Sequence, residues 1–501
     1  MTTTTTDAPA LERLSSGIPG LDTVLGGGFF RSGVYILHGL PGSGKTIFAN
    51  QLCFAHVAAG GTAVYVTLLA ESHSRMLQHI RALRFFDETA IPERLTYLSA
   101  FHQLETGGLK GLVELLRREM RARNASVLVL DGLVAAAEVA QSDSELKRFV
   151  HELQTSAVFH GCTAFLLTSG SPHRVQAEHT MVDGILELED RLSDVRADRS
   201  IQVRKFRGGA ALRGKHGMRI GDGGIDVFPR IEALFDAPPA ETRPEGALST
   251  GVDSLDALIA VGGYGEASST VVLGSSGTGK TTFGLHFLAR STPAEPGLMF
   301  SFFESAPRLR AKARAIGLDL EALEAQGALT LAWHAQGEHL IDELGHRLLE
   351  RVRARGVRRV VIDGLSGFFE SAIHAERTGR YFACLTNELR RRGVTALLTL
   401  ETRDAVGSMV STPFGVSAFV DNLLFLRFVE AGGEVKRLLT ITKMRDSDFD
   451  PGVRAVEISR TGLRIAGRYV AGGDVIPSAR PVGEFATPAV PERAGDSPSG
   501  G

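Results

Sequence analysis

The chain is written twice. Leu14-Ser15-Ser16-Gly17-Ile18-Pro19-Gly20-Leu21-Asp22 returns as Leu248-Ser249-Thr250-Gly251-Val252-Asp253-Ser254-Leu255-Asp256. The Gly-rich run at 39–46 returns at 274–281, the apolar run ending in Asp131-Gly132-Leu133 returns ending in Asp363-Gly364-Leu365, and Lys205-Phe206-Arg207 returns as Lys443-Met444-Arg445. Four landmarks recur in one order at nearly one spacing. That spacing is far longer than the ~20–50 residues of solenoid repeats, so a whole domain is duplicated. The 501 residues must fold as two copies of one unit.

The boundary is expected in the Pro- and Glu-rich stretch 236–246, which has little to build a core from. Domains are therefore expected over 12–235 and 247–471. Residues 1–11 and the tail 472–501, rich in Gly, Pro, Ala and Ser, read as disordered.

Within the first half, Val34-Tyr35-Ile36-Leu37 and residues 63–67, 127–130 and 164–167 are short apolar runs of strand type. Residues 112–120 between them have helical spacing. Apolar strands alternating with amphipathic helices predict an α/β fold with a mostly parallel sheet covered by helices. Each half then closes with a hairpin; in the second, residues 423–429 are joined through Gly432-Gly433 to residues 438–442.

Gly39-Leu40-Pro41-Gly42-Ser43-Gly44-Lys45-Thr46 and Gly274-Ser275-Ser276-Gly277-Thr278-Gly279-Lys280-Thr281 both fit the eight-residue P-loop pattern. Each follows an apolar strand and opens a helix, the context that pattern requires. The glycines let backbone N–H groups converge on phosphate oxygens, and the helix N-terminus adds positive potential. The expected nucleotide contacts run from Gly42 to Ile47 (with Ser43, Gly44, Lys45 and Thr46) and from Gly277 to Thr282. Lys45 and Lys280 would reach the outer phosphates of ATP, and Thr46 and Thr281 would ligate Mg²⁺. Asp131 and Asp363 each end an apolar strand, where a carboxylate can orient the shell of the metal. Glu71 and Glu304, after the second strand of each half, are the candidates for orienting the attacking water.

Lys205-Phe206-Arg207 and Lys443-Met444-Arg445 place a Lys and an Arg two residues apart on a strand, on one side of it. They are expected to contact phosphate, across a subunit boundary.

Formal charge is −2 and Cys53, Cys162 and Cys384 form no metal-ligand pair. A protein that grips nucleic acid mainly by its phosphates is therefore not expected, nor is a disulfide or zinc framework. The N-terminus lacks a basic region followed by an apolar stretch, and no run approaches the ~20 apolar residues of a membrane helix, so a cytoplasmic protein is expected.

Taken together, the two P-loops, the paired Asp-Gly strands, the Val182-Asp183 and Val420-Asp421 strands and the Lys-x-Arg hairpins resemble the KaiC family over roughly residues 12–465. The resemblance implies two tandem RecA-like P-loop NTPase domains, assembled as hexameric double rings that bind ATP at subunit interfaces with weak ATPase activity. Clock members also phosphorylate themselves on Ser/Thr in the second ring, which would make Ser417 a phosphoacceptor and signalling proteins the partners. Two departures stand out. The first of two adjacent family acids is replaced by Ala70 and Phe303, and a Ser-Thr acceptor pair reads Ser417-Ala418. The alternatives are an ATP-assembled scaffold with negligible turnover and a RecA-type DNA-binding ATPase.

Overall fold

The structure, a computed structural model, describes residues 12–68, 73–169, 180–193, 195–235, 246–335, 337–402, 413–431 and 433–469. The expected disordered ends and residues 236–245 of the expected linker lie outside them, as does Glu71.

Each half is built on a nine-stranded sheet. In the first, six parallel strands lie in the order Leu95–Ser99, Ala63–Thr67, Val127–Asp131, Thr163–Thr168, Val34–Gly39 and Gly184–Ser193. The second repeats the order with Leu329–Trp333, Gly297–Ser301, Arg359–Asp363, Thr395–Glu401, Ser269–Gly274 and Asn422–Ala431. The strand leading into each P-loop is buried along its whole length. Helices cover both faces, which is why these strands are apolar on both sides rather than alternating. One face of the first sheet packs against helix Lys45–Ala58, the other against Phe101–Ala122 and Asp143–His160. The last of these starts where Ser142 accepts the Glu145 N–H and ends at left-handed Gly161, a local stop-and-start signal independent of packing.

Duplication extends to single hydrogen bonds. Ser15 Oγ donates to Asp22 at 2.6 Å, and Ser249 Oγ donates to Asp256 at 2.6 Å. Asp183 accepts the Val34 N–H at 2.9 Å, and Asp421 accepts the Ser269 N–H at 2.9 Å. These aspartates precede their strands, which begin at Gly184 and Asn422, so the expected strand register of Asp183 and Asp421 is corrected by one residue. Their carboxylates are spent capping the N-terminal edge of the neighbouring strand.

The expected hairpin is present in both halves, Gly184–Ser193 with Arg196–Phe206 and Asn422–Ala431 with Glu434–Lys443. It does not close the half. Two further antiparallel strands follow, Lys215–Gly221 with Gly224–Phe228 and Arg454–Ser459 with Gly462–Arg468. Their mixed polar sequences sit at a sheet edge with one face wet, so they carry no long apolar run to read.

The halves meet through charge. After the first sheet the short helix Ile231–Leu234 docks on helices Ile341–Arg355 and Thr378–Arg391, and Ile231, fully buried, belongs to the second half's core. Arg377 donates to both oxygens of Glu232 (2.7 and 2.9 Å) and to both of Asp342 (3.0 Å). Asp342 also accepts the Ile231 N–H at 3.1 Å. Arg219 reaches across to Glu343 at 3.1 Å.

Candidate functional site

Both Gly-rich runs form the turn between the central strand and a helix that starts at Lys45 or Lys280. Gly44 and Gly279 cap these helices with φ near +101° and +102°, a conformation a side chain would strain. A Cβ there would also press within 2.7 Å of Ile220 or Ile458. Ser43 and Thr278 are fully buried beneath the loop. Lys45 folds over the loop, donating to the Gly39 and Leu40 carbonyls at 2.6 and 3.0 Å; Lys280 does the same to Gly274 and Ser275 at 2.8 Å. Burial pushes both ammonium groups below the usual lysine range.

In the second half, Gly277, Gly279, Lys280, Thr281 and Thr282 line a cleft of about 520 Å³ with Glu304 and Asp363. Thr281 Oγ1 stands 3.2 Å from both Asp363 oxygens, and Thr399 Oγ1 donates to Asp363 at 2.8 Å. Asp363 is buried and its carboxyl is raised above the usual range by that burial. A buried carboxylate met by neutral hydroxyls is an acceptor set suited to a hard cation. Among the described residues no three His, Cys, Asp or Glu gather to cage a metal. Mg²⁺ held by Thr281 and Asp363 would complete its shell with water and phosphate oxygens. In the first half, Asp131 occupies the matching strand end, where the buried Tyr65 donates to it at 2.8 Å.

Glu304 reaches the second cleft, but its carboxylate is engaged: Lys312 Nζ lies 2.6 Å from Oε1. The Phe303 ring packs over Gly364, where a Cβ would come within 2.3 Å of it. Position 303 thus places a hydrocarbon wall against the strand end that carries Asp363.

Sequence reasoning missed several cleft residues, Lys312 among them. Thr399 and Glu401 end the strand beside the P-loop strand, with Glu401 4.0 Å from Lys280. Arg437, on the strand after the hairpin turn, reaches the Gly277 carbonyl at 3.4 Å. A Thr and a Glu interrupting the apolar run 395–401 near its end were the available signal.

The remaining candidates gather elsewhere. Lys443 donates to the carbonyls of Ser417 and Val420, both at 2.6 Å, and Arg445 lies 3.6 Å from Asp421. Ser417 is half-buried on the 3₁₀ turn Pro413–Ala418. Lys205 and Arg207 likewise reach the Thr180 carbonyl, at 3.1 and 3.2 Å. Both Lys-x-Arg pairs flank the start of the P-loop strand, not its end. Six strand residues, roughly 17 Å, separate them from their own P-loop. Phe206 stacks on Phe30 and Met444 packs against the core, so the middle residue of each triplet serves packing.

A family model described as KaiC ATPase matches residues 14–232 and again 248–469. The chain belongs to the KaiC ATPase family. Its relatives in that family include the circadian clock oscillator protein KaiC of Picosynechococcus sp., 25% identical over 469 residues, covering 91% of this chain and 90% of the relative. The circadian clock protein KaiC3 of Synechocystis sp. is 25% identical over 479 residues, covering 92% of each. This KaiC-family chain is thus similar to those proteins along most of their length. Among its described residues no helix is long and apolar enough to cross a membrane.

Proposed function

We propose that this KaiC-family protein binds Mg-ATP at both P-loops, hydrolyses it slowly as a homo-hexamer, and acts in timing or signalling. The carrying observation is the convergence of Lys280, Thr281 and Asp363 in one cleft. Lys280 would bind the outer phosphates and orient them, while Thr281 and Asp363 would hold Mg²⁺. When bound, the metal would neutralise charge on the phosphate oxygens. Glu304 would take the proton of the attacking water, and in the first half Glu71 would do so. Lys205, Arg207, Lys443 and Arg445 lie too far from their own P-loops to serve them, which supports contact with a neighbouring subunit's nucleotide. Ser417, beside Lys443, is the proposed phosphoacceptor under the same neighbour-to-neighbour arrangement.

A second reading, an ATP-assembled scaffold with negligible turnover, is favoured by one observation: the carboxylate of Glu304 is held by Lys312 and Phe303 carries no acid. Steady-state ADP release by the purified protein, with its mass by light scattering, separates the two. Turnover abolished by Lys280→Ala and Lys45→Ala together supports the ATPase; assembly with ATP but no ADP release supports the scaffold.

A further inference from the structure

The second cleft contains a cation that the repeat does not predict. Lys312 stands on helix Ala306–Ala315 and pairs with Glu304 at 2.6 Å. Both line the same cleft as Lys280 and Asp363, and the charge of Lys312 is felt at each of them. Their side chains are 38% and 26% exposed, so the pair can separate without stranding a buried charge. The corresponding place in the first half is His79, exposed in the last turn of helix His73–Ile80. Among the described residues, the Lys–Glu pair is thus found at the second site.

We propose that Lys312 senses the terminal phosphate of ATP in the second site, leaving Glu304 for that phosphate and so freeing the carboxylate to orient water. This rests on the ATPase reading above. A nucleoside triphosphate brings about four negative charges into a cleft where Glu304 offers one, so the ammonium is drawn to the phosphate. A diphosphate ends short of it and draws it less. Glu304 Oε1, while it carries the ion pair, is closed to a water molecule. Once released, it accepts the proton of water as the water oxygen bonds to the γ-phosphorus. The bond from that phosphorus to the β–γ bridging oxygen breaks, and the electron pair leaves with ADP. Lys312 thus ties the availability of the base to the presence of the substrate's last phosphate.

The test uses the full chain carrying Lys45→Ala, so that turnover reports the second site. Values of kcat and KM for ATP, and Kd for ATP and ADP by equilibrium dialysis, are compared for Lys312, Lys312→Gln, Lys312→Arg, Glu304→Gln and Lys312→Gln with Glu304→Gln. Lys312→Gln is expected to weaken ATP by about five- to tenfold and ADP by less than about twofold. It should not raise kcat at saturating ATP, since the bound triphosphate has already drawn the cation off Glu304. Lys312→Arg should restore the affinity ratio, and Glu304→Gln should lower kcat with or without Lys312. Equal weakening of ATP and ADP, or a kcat raised several-fold by Lys312→Gln at saturating ATP, overturns the inference while leaving the ATPase intact. If turnover is too slow to follow, the ratio of ATP to ADP affinity decides alone. A parent chain that binds no ATP overturns the ATPase reading, and this inference with it.

Discussion

Thr281 Oγ1 sits 3.2 Å from both carboxylate oxygens of Asp363, joining the first turn of a helix to the end of a strand 82 residues away. The buried carboxylate there is costly without a cation, since burial raises its pKa. Asp363→Asn keeps the hydroxyl contacts and removes the charge. Without nucleotide, the melting transition of the second half should rise by a few degrees, while stabilisation by Mg-ATP is lost. A scan with and without Mg-ATP checks both; a variant still stabilised like the parent would remove Asp363 from the metal site.

Lys45→Ala and Lys280→Ala each delete an ammonium aimed over a phosphate-binding loop. A charge-assisted contact of about 1.5–3 kcal/mol is lost, so each should weaken one class of site tenfold or more. Equilibrium dialysis with labelled ATP should show half the stoichiometry retained in each single variant. Unchanged binding in the double variant would make the glycine loops mere strand–helix turns.

The displacement of Lys443 and Arg445 from their own P-loop predicts an ATP-stabilised hexamer. Lys443→Ala with Arg445→Ala should shift the mass measured by light scattering toward monomer in saturating Mg-ATP, leaving the P-loops intact. A parent protein that is monomeric at micromolar concentration under those conditions rules the arrangement out.

Ser417 is predicted to gain a single phosphate slowly. Its placement at the start of the P-loop strand, beside the Lys443 ammonium, makes transfer within one chain impossible on distance alone. Intact mass after incubation with Mg-ATP should show one added phosphate, absent from Ser417→Ala and formed only by the assembled protein. Two phosphates per chain, or one that persists in Ser417→Ala, places the acceptor elsewhere.

His334 stacks on Phe300 at 4.2 Å and takes a hydrogen bond from Arg351, and burial with that guanidinium lowers its pKa to about 4. Its folded-state pKa lies below the unfolded value near 6.5, so the unfolded chain binds the extra proton between them. Stability of the second half should therefore fall as pH drops from about 6.5 toward 4, by on the order of 2–3 kcal/mol from this group. Denaturant midpoints at pH 7 and 5 should converge in His334→Phe relative to the parent.

Much of this architecture was legible because its instructions are local. Runs such as Val127-Leu128-Val129-Leu130 can only be strands covered on both sides, and Gly44-Lys45-Thr46 announces a helix start at an anion site. The edge strands Leu95–Ser99 and Leu329–Trp333 passed unnoticed, since half of each faces outward and breaks the apolar run. Lys312 was invisible for a different reason. Its partner lies eight residues away across a turn, and nothing in the spacing reports that a helix folds back to bring them together. Thr399 required knowing which strand lies beside Asp363, a fact of sheet order rather than of sequence.

Chain order assigns the helix Ile231–Leu234 to the first half; packing assigns it to the second. A fragment cut at the linker would leave the second half with a hole where Ile231 sat and with Arg377 deprived of Glu232. An Ile-sized void alone costs about 2–5 kcal/mol. The second half is thus not a module that can be lifted out or exchanged at its linker. Any recombination that swaps it intact must carry the chain from about Pro229 onward, so the seam between the copies lies inside the first copy's last turn of helix.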